Sequence, residues 1–250
     1  MLAFVTPLKA PEVCQDWERM SALCDRTLRS IAAQTSDRFK HIVVCSKKPD
    51  TDFTHPNLTF IEEPFPVPET REDQMADKYV KVRRGMVAAR DLNPTHLMLV
   101  DADDVISNKL AAFVDNNPHS NGWSFHSGYL HDENTRWLMR INDFALRCGT
   151  CTIARIEDGD LPESVDEPRE KYWWLSTEHN QRERYLNERG RSLSPLPFPG
   201  SIYIIGSGEN WGGFSLKGWR SKKVFLQKMI QYRPVTSRIR REFGLTPLNP

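Results

Sequence analysis

No charge of one sign dominates this chain: 34 Lys and Arg stand against 33 Asp and Glu, a net charge of +1. A general nucleic-acid binder would normally carry a basic excess, so that class is set aside. No uninterrupted apolar stretch approaches the ~20 residues that a membrane span needs. The opening MLAFVTPLKAP lacks a basic n-region and runs into Pro7, so no signal peptide is expected. Cysteine is sparse. Cys14, Cys24, Cys45, Cys148 and Cys151 form an odd set, too small to staple 250 residues, and point to reduced thiols in the cytoplasm. Cys148-x-x-Cys151 has no second C-x-x-C or H-x-x-H to complete a tetrahedral zinc site. There is no G-K-[ST] phosphate loop, no internal repeat and no low-complexity tract.

What is present suffices for a core. Hydrophobic residues make up 39% and aromatics 10%, which excludes a wholly disordered chain. Leu2 to Thr6 reads as a buried strand ended by Pro7. Asp16 to Gln34 carries Trp17, Met20, Cys24, Leu28 and Ile31 at helical spacing. His41 to Cys45 and Leu58 to Ile61 are further strands, so the order is that of a βαβ unit in a parallel sheet. The proline-rich stretch 62–70 is a loop. From Asp77 to Arg90, Tyr79, Val82, Met86 and Ala89 share a helix face flanked by Lys78, Lys81 and Arg84. His96 to Val100 is a dense apolar strand. Beyond it, 123–129 and 144–156 read as strands, 158–169 as an acidic loop, 171–189 as a helix and 202–205 as a strand. The tail 217–241 holds nine basic residues and no acidic one, and reads as a helix or ordered arm.

The sharpest chemical signal is LMLVDADDVIS, residues 97–107. A buried strand ends in Asp101 and Asp103, one residue apart, and alternate residues of an extended chain point the same way. Parallel α/β sheets bind ligands at the carboxyl ends of their strands. Mg²⁺ is commonly held by one or two carboxylates plus substrate phosphates. The pair therefore suits a divalent ion clamped against a diphosphate. The bland alternative is an acidic turn in which Asp103 and Asp104 cap a helix near Asn108 to Val114.

Taken together, TPL after the first strand, IAAQTSDRFKHIVVC, DKYVKVRRGMVAARD and LMLVDADD resemble a GT-A glycosyltransferase of the family-2 type, within the nucleotide-diphospho-sugar transferase superfamily. The resemblance, close over about 1–115 and looser to about 215, implies a GT-A, Rossmann-like α/β fold with a mixed, mostly parallel sheet flanked by helices, to which the basic tail adds a C-terminal helical extension. It divides the chain into a catalytic domain, 1–215, with a nucleotide-binding half (1–115) and an acceptor-binding half (116–215), followed by the extension 216–250. It implies a nucleotide-diphosphate sugar donor, a glycan, lipid-linked or small-molecule acceptor, and Mn²⁺ or Mg²⁺ on Asp101 and Asp103. Thr6 would lie beside the nucleoside through its backbone. Asp77, Lys78 and Lys81 would contact nucleotide or phosphate, as would the Asp101-Ala102-Asp103 segment. An acidic residue often closes the second strand in that family; here Val44-Cys45-Ser46-Lys47-Lys48 stands in its place and leaves the base unassigned.

An inverting transfer needs a general base for the acceptor hydroxyl. The matching position is Ser176-Thr177-Glu178-His179, with Glu178 first, His179 second and Asp166 a weaker candidate. For each, a surface carboxylate or a capping histidine is the competing reading. Ser207 stands where the family often places a metal-facing histidine, with Glu209 or Asn210 as stand-ins. Trp173, Trp174 and Trp211 could pack on a sugar ring or belong to the core. The basic tail, with Trp219, Phe225, Leu226, Met229 and Ile230 among its cations, could rest on the inner face of a membrane or pack across the domain. Two other functions compete. VDADDV also fits the nucleophile motif of haloacid-dehalogenase-type phosphatases, with Asp101 attacking phosphate. A non-catalytic sugar-nucleotide-binding relative is the third reading.

Overall fold

The computed structural model of the protein describes residues 1–133, 135–209 and 231–245. β1 (Leu2–Pro7) is buried along its whole length. α1 (Trp17–Ala32) starts at Asp16, whose carboxylate accepts from the Arg19 amide at 3.1 Å, and buries Met20, Leu23, Cys24, Leu28 and Ile31. β2 (Phe39–Cys45) and β3 (Leu58–Glu62) follow. α2 (Arg71–Arg90) begins at Arg71 rather than Asp77. A capping box starts it: the Asp73 amide donates to Thr70 Oγ1 at 3.1 Å, and the Thr70 amide donates to Asp73 Oδ2 at 2.9 Å. β4 (His96–Leu99) closes the first half.

These four strands run parallel in the order β3-β2-β1-β4. α1 leads from β1 to β2 on one side, whereas β3 and α2 lead to β4 on the other. The strand order therefore reverses between β1 and β4, the place where open α/β sheets bind ligands. α2 lies unusually close to β1 at Gly85, where a Cβ would sit 2.5 Å from Val5 Cγ1.

The remaining described elements are β5 (Val105–Ile106), α3 (Leu110–Asp115), β6 (Gly122–Ser124), β7 (Gly128–Asp132), β8 (Trp137–Ile141), β9 (Thr152–Arg155), α4 (Trp173–Ser176), α5 (Arg182–Asn187), β10 (Ser194–Pro195), β11 (Ser201–Ile205), β12 (Tyr232–Pro234) and α6 (Ser237–Phe243). The first sheet extends to β10-β6-β9-β4-β1-β2-β3, with β9 antiparallel to both its neighbours. A second sheet, β12-β8-β7-β11-β5, is antiparallel except where β7 meets β11. The molecule is thus the Rossmann-like α/β arrangement, a mixed sheet flanked by helices, that the sequence led us to expect.

The second half departs from the expected elements. The strand expected over 123–129 is two strands in different sheets, and Gly128 lets β7 pass where a Cβ would lie 2.1 Å from the Phe144 ring. Only Thr152–Arg155 of the stretch 144–156 is a strand, preceded by a 3-10 turn at Phe144–Leu146. The helix expected over 171–189 breaks into α4, a 3-10 turn at His179–Gln181, and α5, because Thr177 and Glu178 are extended. Trp173 and Trp174 stack at 4.2 Å inside the core, so neither is a sugar platform. Residues 210–230, including Asn210, Trp211 and the apolar part of the basic tail, lie outside the described residues. Within the tail, β12 pairs with β8, and α6 buries Phe243. Among the described residues no helix is long and apolar enough to cross a membrane.

Candidate active site

β4 belongs to the first sheet and β5 to the second, so the turn Asp101–Asp104 occupies the corner between them. α1 pins that corner: Thr27 Oγ1 reaches the carbonyls of Ala102 and Asp104 at 3.0 and 2.7 Å. The segment before β9 pins it from the other side. Thr150 Oγ1 accepts from the Asp101 amide at 3.0 Å and donates to Asp104 Oδ2 at 2.6 Å. Cys148 Sγ donates to the same carboxylate oxygen at 3.0 Å, and the Ile204 amide reaches Asp104 Oδ1 at 3.4 Å. Asp104 is fully buried. It anchors the turn rather than capping a helix, and α3 starts without a side-chain cap.

Asp101 and Asp103 look the other way, onto a cavity of about 600 Å³ at the carboxyl ends of β1 and β4. Pro7, Leu8 and Lys9 line it just beyond β1. α2 contributes one face at helical steps, with Arg71, Gln74, Met75, Lys78 and Lys81. Arg147, Cys148 and Gly149 arrive from the segment before β9, and Glu178 and His179 from the break between α4 and α5.

Lys78 Nζ lies 2.6 Å from Asp101 Oδ1. Burial works to raise the Asp101 carboxyl, but the charge and hydrogen bond of Lys78 prevail and hold it below the usual carboxylate range. Burial and the negative charge of Asp101 push Asp103 up to about 6. Lys81 is wholly buried, with Nζ 2.7 Å from Asp77 Oδ2. Burial, then the nearby Arg182 guanidinium, lowers the His179 imidazole, which is therefore neutral near pH 7. Its Nε2 has no hydrogen-bond partner among the described residues.

The structure brings most of the sequence candidates into one cavity: Asp77, Lys78, Lys81, Asp101, Ala102, Asp103, Glu178 and His179 all line it. Thr6 does not. Its side chain is buried, with Oγ1 2.9 Å from His41 Nε2, and the next three residues face the cavity instead. Asp166, in the loop before α4, is not among the residues that line the cavity. Lys9, Arg71, Gln74, Arg147 and Gly149 escaped the sequence reading. A signal existed for two of them, since Arg71 and Gln74 precede Lys78 by seven and four residues on the same helix.

The expected metal site is only partly supplied. Among the described residues no three His, Cys, Asp or Glu side chains converge on one point. Glu209 adds no ligand: it is paired with Lys9, and its Oε1 accepts from the Asp16 amide at 2.9 Å. The Ser207 hydroxyl accepts from the Glu209 amide at 3.2 Å. Asp101 and Asp103 nonetheless fit a hard divalent ion, because two carboxylates plus phosphate and water oxygens make an ordinary Mg²⁺ shell. Gly149 keeps the space beside Asp101 open; a Cβ there would lie 3.0 Å from Asp101 Oδ2.

No family model and no curated protein matches the chain. Solved structures that resemble it include TarS of S. aureus, at 16% identity and a TM-score of 0.40, over 82% of this chain and 36% of that one. Another is the 2-C-methyl-D-erythritol 4-phosphate cytidylyltransferase of Francisella tularensis, at 12% identity and 0.40, over 84% of this chain and 92% of that one. A third is the bifunctional IspDF of Campylobacter jejuni, at 14% identity and 0.35, over 82% and 49%. The chain thus spans 36% of TarS and 49% of IspDF.

Proposed function

We propose that the protein is a metal-dependent glycosyltransferase that moves a sugar from a nucleotide-diphosphate sugar to an acceptor hydroxyl, in glycan or polysaccharide synthesis. One observation carries the reading: at the strand-order reversal a single cavity joins two outward carboxylates, a cationic helix face, Glu178 and His179. Pro7 to Lys9 and the α2 face would take the nucleotide, with Lys78 toward its phosphates and Lys81, buried against Asp77, behind that face. Asp101 and Asp103 would hold Mn²⁺ or Mg²⁺. When bound, that ion supplies Lewis-acid stabilisation of charge on the leaving diphosphate.

The acceptor would enter from the side of Arg147, Glu178 and His179. Either Glu178 or His179 would take its proton: Glu178 is exposed at the cavity, whereas the His179 ring would have to turn to present its buried, unpartnered Nε2. The phosphatase alternative gains nothing specific, since Asp101 follows the fourth strand of the chain and its Oδ1 already accepts from Lys78.

The test is donor hydrolysis across a panel of nucleotide sugars with Mg²⁺ or Mn²⁺. One nucleotide sugar should be cleaved at its anomeric bond, and Asp103→Ala should lower the rate by about 10²-fold or more. Turnover of a generic aryl phosphate that Asp101→Asn abolishes would favour the phosphatase. Binding of a donor without cleavage would favour the non-catalytic relative, and failure of every donor to bind would overturn the transferase reading.

A further inference from the structure

Two lysines one helical turn apart face the same cavity and are held in different ways. Lys81 is completely buried, 2.7 Å from the nearly buried Asp77 and 5.2 Å from the Phe65 ring centroid. Moving it would leave Asp77 buried without its partner, a cost that keeps such pairs closed. The Lys78–Asp101 pair is just as short, but its side chains are 39% and 30% exposed at the cavity wall. A flexible four-carbon stem carries the Lys78 ammonium. It can therefore reach another anion in the cavity without burying an unpaired charge behind it.

Lys78 occupies Asp101 Oδ1, so a metal at this carboxylate either displaces it or binds Oδ2 with the ammonium charge beside it. A divalent ion arriving alone meets that charge, or must displace it into solvent. A diphosphate arriving with the ion offers that cation a new partner. We propose, resting on the metal-and-diphosphate reading above, that Lys78 is an exchangeable counter-ion. It shields Asp101 from the metal alone and transfers to the diphosphate when both arrive, so the site takes metal and diphosphate as one unit. Lys81 and Asp77 stay fixed throughout and define the helix face along which the phosphates lie.

Binding of Mn²⁺ alone, inorganic pyrophosphate alone, and each in the presence of the other tests this by calorimetry, with Mn²⁺ electron paramagnetic resonance as a second readout. In the unmodified protein each ligand should tighten the other by the same factor, about tenfold or more, because linkage is reciprocal. Lys78→Met should bind Mn²⁺ alone about tenfold more tightly and pyrophosphate more weakly, with a smaller coupling factor. Lys78→Arg, which keeps the charge, should retain weak binding of Mn²⁺ alone and strong coupling. Unchanged or weaker Mn²⁺ affinity in a folded Lys78→Met overturns the proposal while leaving the transferase reading intact. Loss of coupling in Lys78→Arg also overturns it. An unmodified protein that binds neither Mn²⁺ nor pyrophosphate, even together, overturns the transferase reading itself.

Discussion

The two halves of the molecule are held together by different means. From Leu2 to Leu99, apolar strands and the apolar faces of α1 and α2 pack on one parallel sheet. From Gly122 to Ile205 the strands are two to five residues long, and buried polar ties supplement an apolar core that includes Trp123, Phe125, Leu130, Ile141 and Ile153. Asp104 takes Thr150 and Cys148. Asp160 takes the Trp173 indole and Arg191, and Glu133 takes Arg26 and Arg19. Apolar packing is non-directional and tolerates change, whereas a buried polar tie fails when either partner goes. The seam between the halves is the Asp101–Asp104 turn, where a hydroxyl from the second half fixes the end of a strand from the first.

Exchanging the two neighbouring carboxylates for alanine gives the largest contrast. Asp104→Ala leaves the Thr150 hydroxyl, the Cys148 thiol and the Ile204 amide without their acceptor, and should cost about 3 kcal/mol in urea unfolding. Asp103→Ala removes a carboxylate on the cavity wall that is squeezed by Asp101, and should leave stability within about 0.5 kcal/mol or raise it. Ligand binding should show the reverse order. Equal stability losses would erase the distinction between an inward anchor and an outward ligand.

The apolar half has its own weak point, a buried group that can acquire charge. Burial pushes His41 down to about 3, and a nearby histidine, His55, adds to the effect. Its folded pKa lies below the ordinary 6.5, so the unfolded chain binds more protons between those values. The contribution of the neutral ring is whole above pH 6.5 and is lost as pH falls toward 3, about 2 kcal/mol of it by pH 5. Stability measured from pH 7 to 5 should therefore fall more steeply in the unmodified protein than in His41→Asn. His96, lowered to about 4 by burial on β4, adds a slope of the same sign. Parallel slopes in variant and parent would show that His41 is protonated in the fold.

The same contrast explains what could be read from sequence. β1, α1, β2, β3 and β4 follow from local periodicity. The pair Asp101 and Asp103 was expected from alternation along an extended chain, but the structure makes 101–104 a turn, closed by the Asp104 amide on the Asp101 carbonyl at 3.1 Å. It is this turn that shows both to the cavity. Asp104 was open to a capping reading because nothing local shows that a second sheet closes over it. Thr150 carries no spacing signal at all; its role exists only because β9 lands beside β4. β8 was missed because its burial order, with Leu138, Met139 and Ile141 buried and Trp137 and Arg140 exposed, breaks strict alternation. Glu178 and His179 came from the family resemblance rather than from any pattern in the residues. The start of α2 is the instructive miss, because REDQMA has little apolar periodicity while TRED spells its capping box.

That capping box yields the smallest effect and the finest test. Thr70 and Asp73 are exposed, and they satisfy amides of a helix whose packing residues Val82, Met86 and Ala89 lie well beyond them. If the first half is held by apolar packing, Thr70→Ala should cost only about 1 kcal/mol. Faster amide hydrogen exchange should be confined to the first turns of α2, from Arg71 to about Asp77. Because Arg71 and Gln74 line the cavity from those turns, pyrophosphate binding should weaken slightly while Mn²⁺ binding stays unchanged. A loss of several kcal/mol, or exchange spreading to Val82 and Met86, would mean that a surface polar tie governs the apolar half too. The division between the two halves would then not hold.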